Sequence, residues 1–227
     1  MRRRGILLDI EGTTTPIAFV YDVLFPFARQ NAAEYLEHTV ENLGTLKSEY
    51  GEDVKTGLNP PPWSDVPIDY VRWLMNQDRK STGLKQLQGR IWEKGYREGT
   101  LKGEVFPDVP PALERWRAEE IDVRIFSSGS VLAQKLLFSS TAAGDLTRLL
   151  KGHFDTTTGP KADPQSYRRI AARFALAPSE IVFVSDITRE LDAARIAGLQ
   201  TILCVRPGNA AQDPNGHPSI RSFDEIE

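Results

Sequence analysis

Hydrophobic positions along the chain fall into two rhythms. Short unbroken apolar runs occur at Ile6-Leu7-Leu8, Val123 to Phe126, Ile181-Val182-Phe183-Val184 and Thr201 to Val205. Runs this short, bounded by polar and turn residues, predict buried strands. A fainter one falls at 153–156. Between them, apolar residues recur at helical spacing. Val20, Leu24, Phe27, Ala28, Ala32, Tyr35, Leu36 and Val40 predict a helix over 17–40, kinked or restarted at Pro26. Further helices are predicted over 68–78, 84–96, 111–118, 131–137, 164–174 and 188–197, the last stopped by Gly198. Residues 42–66 are polar, with Gly51, Gly57 and the Pro60-Pro61-Pro62 run, and read as a loosely patterned loop.

Strands that alternate with helices imply an α/β fold with a parallel sheet and right-handed crossovers. The expected core is a Rossmann-like sheet built from residues 1–16 and 104–227. An all-helical insert, 17–103, follows the first strand. Its tryptophans, methionine and aromatic stripes have the spacing of a helix–helix core.

At 227 residues the chain suits one domain with a sizeable insertion, and it is long enough to bury a core without staples. Net charge is −3, and the one basic cluster, Arg2-Arg3-Arg4, reads as a solvated lead into the first strand. Neither nucleic acid nor a membrane is an expected partner. The single cysteine, Cys204, excludes an internal disulfide and any multi-cysteine metal site, and its apolar neighbours mark it as inert core. A cytoplasmic protein is expected, since the apolar run after the arginines is too short for a signal peptide and no run approaches a membrane span, and a monomer, since the apolar faces fit an internal core and leave no dimer stripe.

The chemistry concentrates where predicted strands end. The first strand runs into Asp9-Ile10-Glu11-Gly12-Thr13, and period-2 alternation would put Asp9 and Glu11 on one side of it. Two carboxylates at a buried strand end need balancing charge. The second strand runs into Ser127-Ser128-Gly129-Ser130 just before a helix, where hydroxyls and backbone N–H groups can cradle an anion. Lys161 can add a point charge to a phosphate. Asp186 ends the cleanest strand, with Glu190 and Asp192 behind it. Carboxylates with phosphate favour Mg²⁺. Singly, each residue has a plainer role: Asp9 in a turn, Ser128 or Asp186 as a helix cap, Lys161 on the surface.

The order of these parts resembles the haloacid dehalogenase superfamily of phosphohydrolases. Its D-x-D-G-T strand end, its strand-end Ser, its Lys and its strand-end acid correspond here to Asp9 through Thr13, Ser127, Lys161 and Asp186. The insert is similar to that superfamily's helical cap. Glu11 replaces the second Asp. With Thr14-Thr15-Pro16, Asp78-Arg79-Lys80, Leu84-Lys85-Gln86-Leu87-Gln88-Gly89 and Val205-Arg206-Pro207-Gly208-Asn209, it narrows the resemblance to a bifunctional branch. That branch enolises a small diketone phosphate and then removes its phosphate, in methionine salvage. The resemblance implies Asp9 as nucleophile and Glu11 as acid and base. It also implies Ser127, Ser128 and Lys161 on the phosphate. One Mg²⁺ per chain would be held by Asp9, the Glu11 backbone carbonyl and Asp186. Asp78, Arg79 or Lys85 could assist the enolisation. The alternative is a phosphatase of the same superfamily for another small phosphate ester, without an enolase step.

Overall fold

Six strands, Gly5–Leu8 (β1), Asp122–Phe126 (β2), Gly152–Phe154 (β3), Ile181–Ser185 (β4), Gln200–Cys204 (β5) and Ser219–Ile220 (β6), pair in parallel in the order β3–β2–β1–β4–β5–β6. The computed structural model describes residues 3–38, 43–77, 79 and 81–226. Among these residues eight α-helices occur: Phe25–His38 (α1), Gly44–Lys55 (α2), Ile68–Asn76 (α3), Thr82–Arg97 (α4), Val109–Ala118 (α5), Val131–Ser139 (α6), Pro164–Phe174 (α7) and Thr188–Ile196 (α8). The chain divides into two compact units, Met1–Val20 with Lys102–Glu227, and Tyr21–Leu101. No helix among the described residues is long and apolar enough to cross a membrane.

In the α/β unit β1 is central, with Leu8 paired to Ile125 on one side and to Val184 on the other. All four β1 residues and all five of β4 are buried, as an interior parallel strand covered on both faces requires. Leu7, Phe183, Tyr167, Ile170, Phe174 and Leu191 share one core cluster, which seats α7 and α8 on one face of the sheet. Full burial of such a side chain is worth about 2 kcal/mol. The strand order reverses between β1 and β4, and in open α/β sheets the crevice at that switch point is where ligands bind.

The chain beyond β1 departs from the expected extended run. The N–H groups of Thr13, Thr14 and Thr15 all donate to Ile10 O, and Gly12 takes φ +70°. A tight turn closed on Ile10 therefore places Glu11 relative to Asp9, rather than strand alternation. Strand β2 likewise stops at Phe126, one residue before Ser127. Strand β6 is too short, at two residues, to leave a pattern in the sequence.

In the helical unit the break foreseen at Pro26 is a change from π-helical turns over Phe19–Leu24 to α1. Val40 lies outside the described residues, as does Arg2. The expected loop over 42–66 is corrected by α2. Only Leu46 and Asp53 of this helix are buried, so its apolar stripe is nearly invisible in sequence. Polar side chains fasten it instead. Glu49 accepts from Ser81 Oγ and from Thr82 N (2.8 Å), at the start of α4. Asp53 accepts from Tyr70 Oη (2.8 Å) and pairs with Arg79. The aromatic residues pack as expected, with Tyr70 against Tyr50, Trp63 and Trp73.

Candidate active site

Asp9 is the first residue past β1 and is 4% exposed. Its backbone N–H still bonds to Val184 O, so the sheet fixes its position. Its Oδ1 accepts from Ile10 N at 2.7 Å. Its Oδ2 faces Lys161 Nζ at 2.6 Å and accepts from Ser185 Oγ at 3.0 Å. Thr14 Oγ1 donates to the carbonyl oxygen of Asp9, which ties the following turn to this residue.

Lys161 comes from the loop before α7. That loop is held by the first turn of α7: Ser166 Oγ donates to Pro160 O and Tyr167 Oη to Lys161 O, each at 2.8 Å. Gly159 opens it at φ +141°, where a Cβ would collide with Ser166 Oγ. Lys161 Nζ also reaches Glu190 Oε2 at 2.6 Å and lies 5.9 Å from the centre of the Phe126 ring. Burial works against the ammonium charge, but Asp9 and Glu190 together outweigh it and hold the Lys161 pKa above its ordinary value. This is the positive partner that the strand-end carboxylates require.

Asp186 follows β4 and is 5% exposed. Burial, with Asp9 and Glu11 adding to it, pushes its carboxyl up to about 7. Asp186 does not cap α8 with its side chain; that helix starts from Ile187, whose N–H bonds to Ser185 Oγ. Glu190, in the first turn of α8, is raised by burial and by Asp9.

Ser127 is buried, and its N–H is committed to Phe154 O, so its contribution toward an anion is the hydroxyl. That hydroxyl accepts from Gly129 N at 3.1 Å. Ser128 is exposed. The helix cap is Ser130, which accepts from Ala133 N, and this corrects the cap reading of Ser128. Gln134 pins the loop through Gly129 O and Phe154 O. The structure thus brings Asp9, Glu11, Lys161 and Asp186 into one electrostatic cluster. Ser127 adjoins it through Phe126.

Two participants went unassigned in the sequence, Ser185 and Gln134, while Glu190 stood there only as an acid near Asp186. Ser185 read only as part of a strand, and Gln134 as an ordinary helix residue. Of the cap residues considered for enolisation, Arg79 is engaged by Asp53 and lies 5.8 Å from the Trp73 ring centre. Lys85 is exposed, and Asp78 and Lys80 lie outside the described residues. Cys204 is a buried free thiol, pushed up to about 12 by burial, in keeping with inert core.

No group of three His, Cys, Asp or Glu side chains that could hold a metal forms among the described residues. Two buried carboxylates, Asp9 and Asp186, plus a backbone carbonyl, remain a fitting donor set for Mg²⁺. That ion uses one or two carboxylates and keeps its other positions for water and phosphate.

The haloacid dehalogenase-like hydrolase model matches residues 4–198. The chain is 49% identical to an enolase-phosphatase E1 of Synechococcus elongatus, covering 97% of this chain and 96% of that protein. It is 43% identical to an enolase-phosphatase E1 of Pseudomonas aeruginosa, covering 100% and 99%. Among solved structures it is similar to the UTR4 protein of Saccharomyces cerevisiae, with a TM-score of 0.81 at 33% identity, over 99% of this chain and 100% of that one. With a family model that spans most of its length and relatives this similar end to end, the chain belongs to the haloacid dehalogenase-like hydrolases and, within them, to the enolase-phosphatase E1 family.

Proposed function

We propose that this chain is the enolase-phosphatase of methionine salvage. It enolises 2,3-diketo-5-methylthiopentyl-1-phosphate and then hydrolyses the enol phosphate to acireductone and phosphate. The observation that carries the chemistry is the buried Asp9 carboxylate held between Lys161 and Ser185 at the sheet's switch point. The likeness to enolase-phosphatases along the whole chain carries the choice of substrate.

In the first half-reaction a base takes the proton from the carbon that bears the phosphate ester, next to a ketone. The electron pair moves to the ketone oxygen, which must be stabilised as it gains charge. Glu11 is the base in this reading, because it stands beside the metal-binding acids on a turn fixed by Ile10 O. In the second half Asp9 attacks phosphorus, the enol oxygen leaves, and an aspartyl-phosphate forms. Glu11 protonates the leaving oxygen and then takes a proton from the water that releases phosphate. Lys161 and Ser127, with Ser128 at the exposed end of the same loop, hold the phosphoryl oxygens in line for attack. Asp9, the Glu11 backbone carbonyl and Asp186 would hold one Mg²⁺, which when bound neutralises phosphoryl charge. Glu190 and Ser185 keep Lys161 and Asp9 in register between turnovers.

The helical unit is read as the cap, on its place in the sequence between β1 and α5. The enzyme is taken as a cytoplasmic monomer. The deciding experiment is turnover of the diketone phosphate with and without Mg²⁺, with enol absorbance and phosphate release followed separately. Enol formation followed by Mg²⁺-dependent phosphate release is expected. Release without an enol step would favour a plain phosphatase.

A further inference from the structure

The turn after β5 reaches back to the strand end that carries Asp9. Arg206 Nε donates to Thr13 O at 3.1 Å, and Asn209 Nδ2 donates to Gly12 O at 2.8 Å. Arg206 is itself held fast. It pairs with both oxygens of Asp108, at 3.0 and 2.8 Å, and its guanidinium lies 4.4 Å from the Phe106 ring centre and 4.8 Å from that of Phe223. The backbone that presents Asn209 is therefore anchored on one side by a buried ion pair and on the other by the Gly12 turn.

The second amide atom of Asn209 is the unexplained one. Its Oδ1 is fully buried and has no hydrogen-bond partner. The amide cannot be turned over to cure this, because Oδ1 would then face Gly12 O, an acceptor against an acceptor. Its surroundings are defined by Gly12: a Cβ built there would lie 3.0 Å from Asn209 Oδ1 and would collide with Asp186 Oδ2. The two oxygens thus stand close together on the same side of the Gly12 Cα. A buried acceptor left unmatched costs about 1–3 kcal/mol, so a donor belongs between them. A water on a divalent cation fits, since it is polarised, donates two protons and binds where a carboxylate also binds.

We propose that Asn209 is a positioning residue for the divalent cation, its Oδ1 accepting a hydrogen bond from a water on the ion that Asp186 binds. The assignment rests on the Mg²⁺ reading of the site. It gives Asn209 two tasks, one for each amide atom: Nδ2 fixes the Gly12 turn and Oδ1 orders the hydration of the ion.

The test is calorimetric titration of Mg²⁺ into substrate-free wild type, Asn209→Ala and Asn209→Asp, with the unfolding midpoint of each metal-free protein measured alongside. Loss of such an outer partner typically weakens a metal about 10- to 100-fold, so Asn209→Ala should bind Mg²⁺ at least about tenfold more weakly. Asn209→Asp keeps an acceptor oxygen but loses the donor to Gly12 O, and should stay within about threefold of wild type. A residue that only clamps the turn would make the two variants equally weak. That result, or unchanged affinity in Asn209→Ala, overturns the proposal while the metal reading stands. Should Asn209→Ala not fold, the Asn209→Asp titration decides by the same criterion. Wild type that binds no Mg²⁺ removes the metal reading, and this inference with it.

Discussion

Lys161 Nζ stands 2.6 Å from Glu190 Oε2, and Lys161 is thereby shared between two carboxylates from different elements. Ser185 Oγ touches the same pair, 3.0 Å from Asp9 Oδ2 and 3.1 Å from Glu190 Oε2. Its single proton serves one carboxylate at a time, so Lys161 carries most of the balance. With two of its three N–H donors on these carboxylates, Lys161 keeps one for a phosphoryl oxygen.

Removal of Lys161 should therefore cost stability as well as activity. Lys161→Met leaves Asp9 and Glu190 buried against each other, and breaking a buried pair in this way typically costs about 3–5 kcal/mol. Glu190→Gln added to Lys161→Met should recover a large part of the loss, because it removes one of the unbalanced charges. Denaturant unfolding of the two single variants and the double variant measures the coupling. Strictly additive effects would show that Glu190 and Lys161 do not act as a pair.

Asp9→Asn should abolish phosphate release by at least about a thousandfold, the loss expected when a nucleophile is replaced by a neutral isostere. Its fold should persist, because the backbone bond to Val184 O and the Thr14 contact do not need the charge. Phosphate assays alongside circular dichroism check both halves. Near-normal release in a folded variant would leave the nucleophile to be sought elsewhere.

Glu11 divides the two half-reactions. Glu11→Gln should slow enol formation about a hundredfold or more, the usual scale of a general base. Glu11→Asp, one methylene shorter, should retain part of it. Ultraviolet absorbance of the enol, read before phosphate release, follows the step directly. Normal enol formation in both variants would exclude Glu11 as the enolisation base.

His153 on β3 should make stability depend on pH. Burial, with Lys135 adding to it, lowers its pKa from 6.5 to about 4. Between those values the unfolded chain takes up a proton that the folded chain refuses. Its contribution to stability is therefore lost as pH falls from about 6.5 toward about 4, and levels off below. His153→Leu should shrink the drop in unfolding midpoint between pH 7 and pH 5 relative to wild type. Equal drops would assign the acid sensitivity to other groups.

The local chemistry of the chain was written in its sequence. Buried strands β1 and β4 are continuous apolar runs, and the helices α4 and α7 carry apolar faces strong enough to read. The acids, serines and lysine of the site sit where those runs stop, so strand ends alone indicated Asp9, Ser127 and Asp186. Helix α2 was illegible, because Glu49 and Asp53 fasten it through residues that lie far along the chain. Only the fold could decide how Asp9 and Glu11 are presented, since hydrogen bonds to Ile10 O make a turn where alternation suggests a strand. The roles of Glu190, Ser185 and Asn209 came from the fold alone as well. Each acts by distance and charge across the sheet's switch point, and sequence spacing encodes such relations only for residues on the same helix or strand.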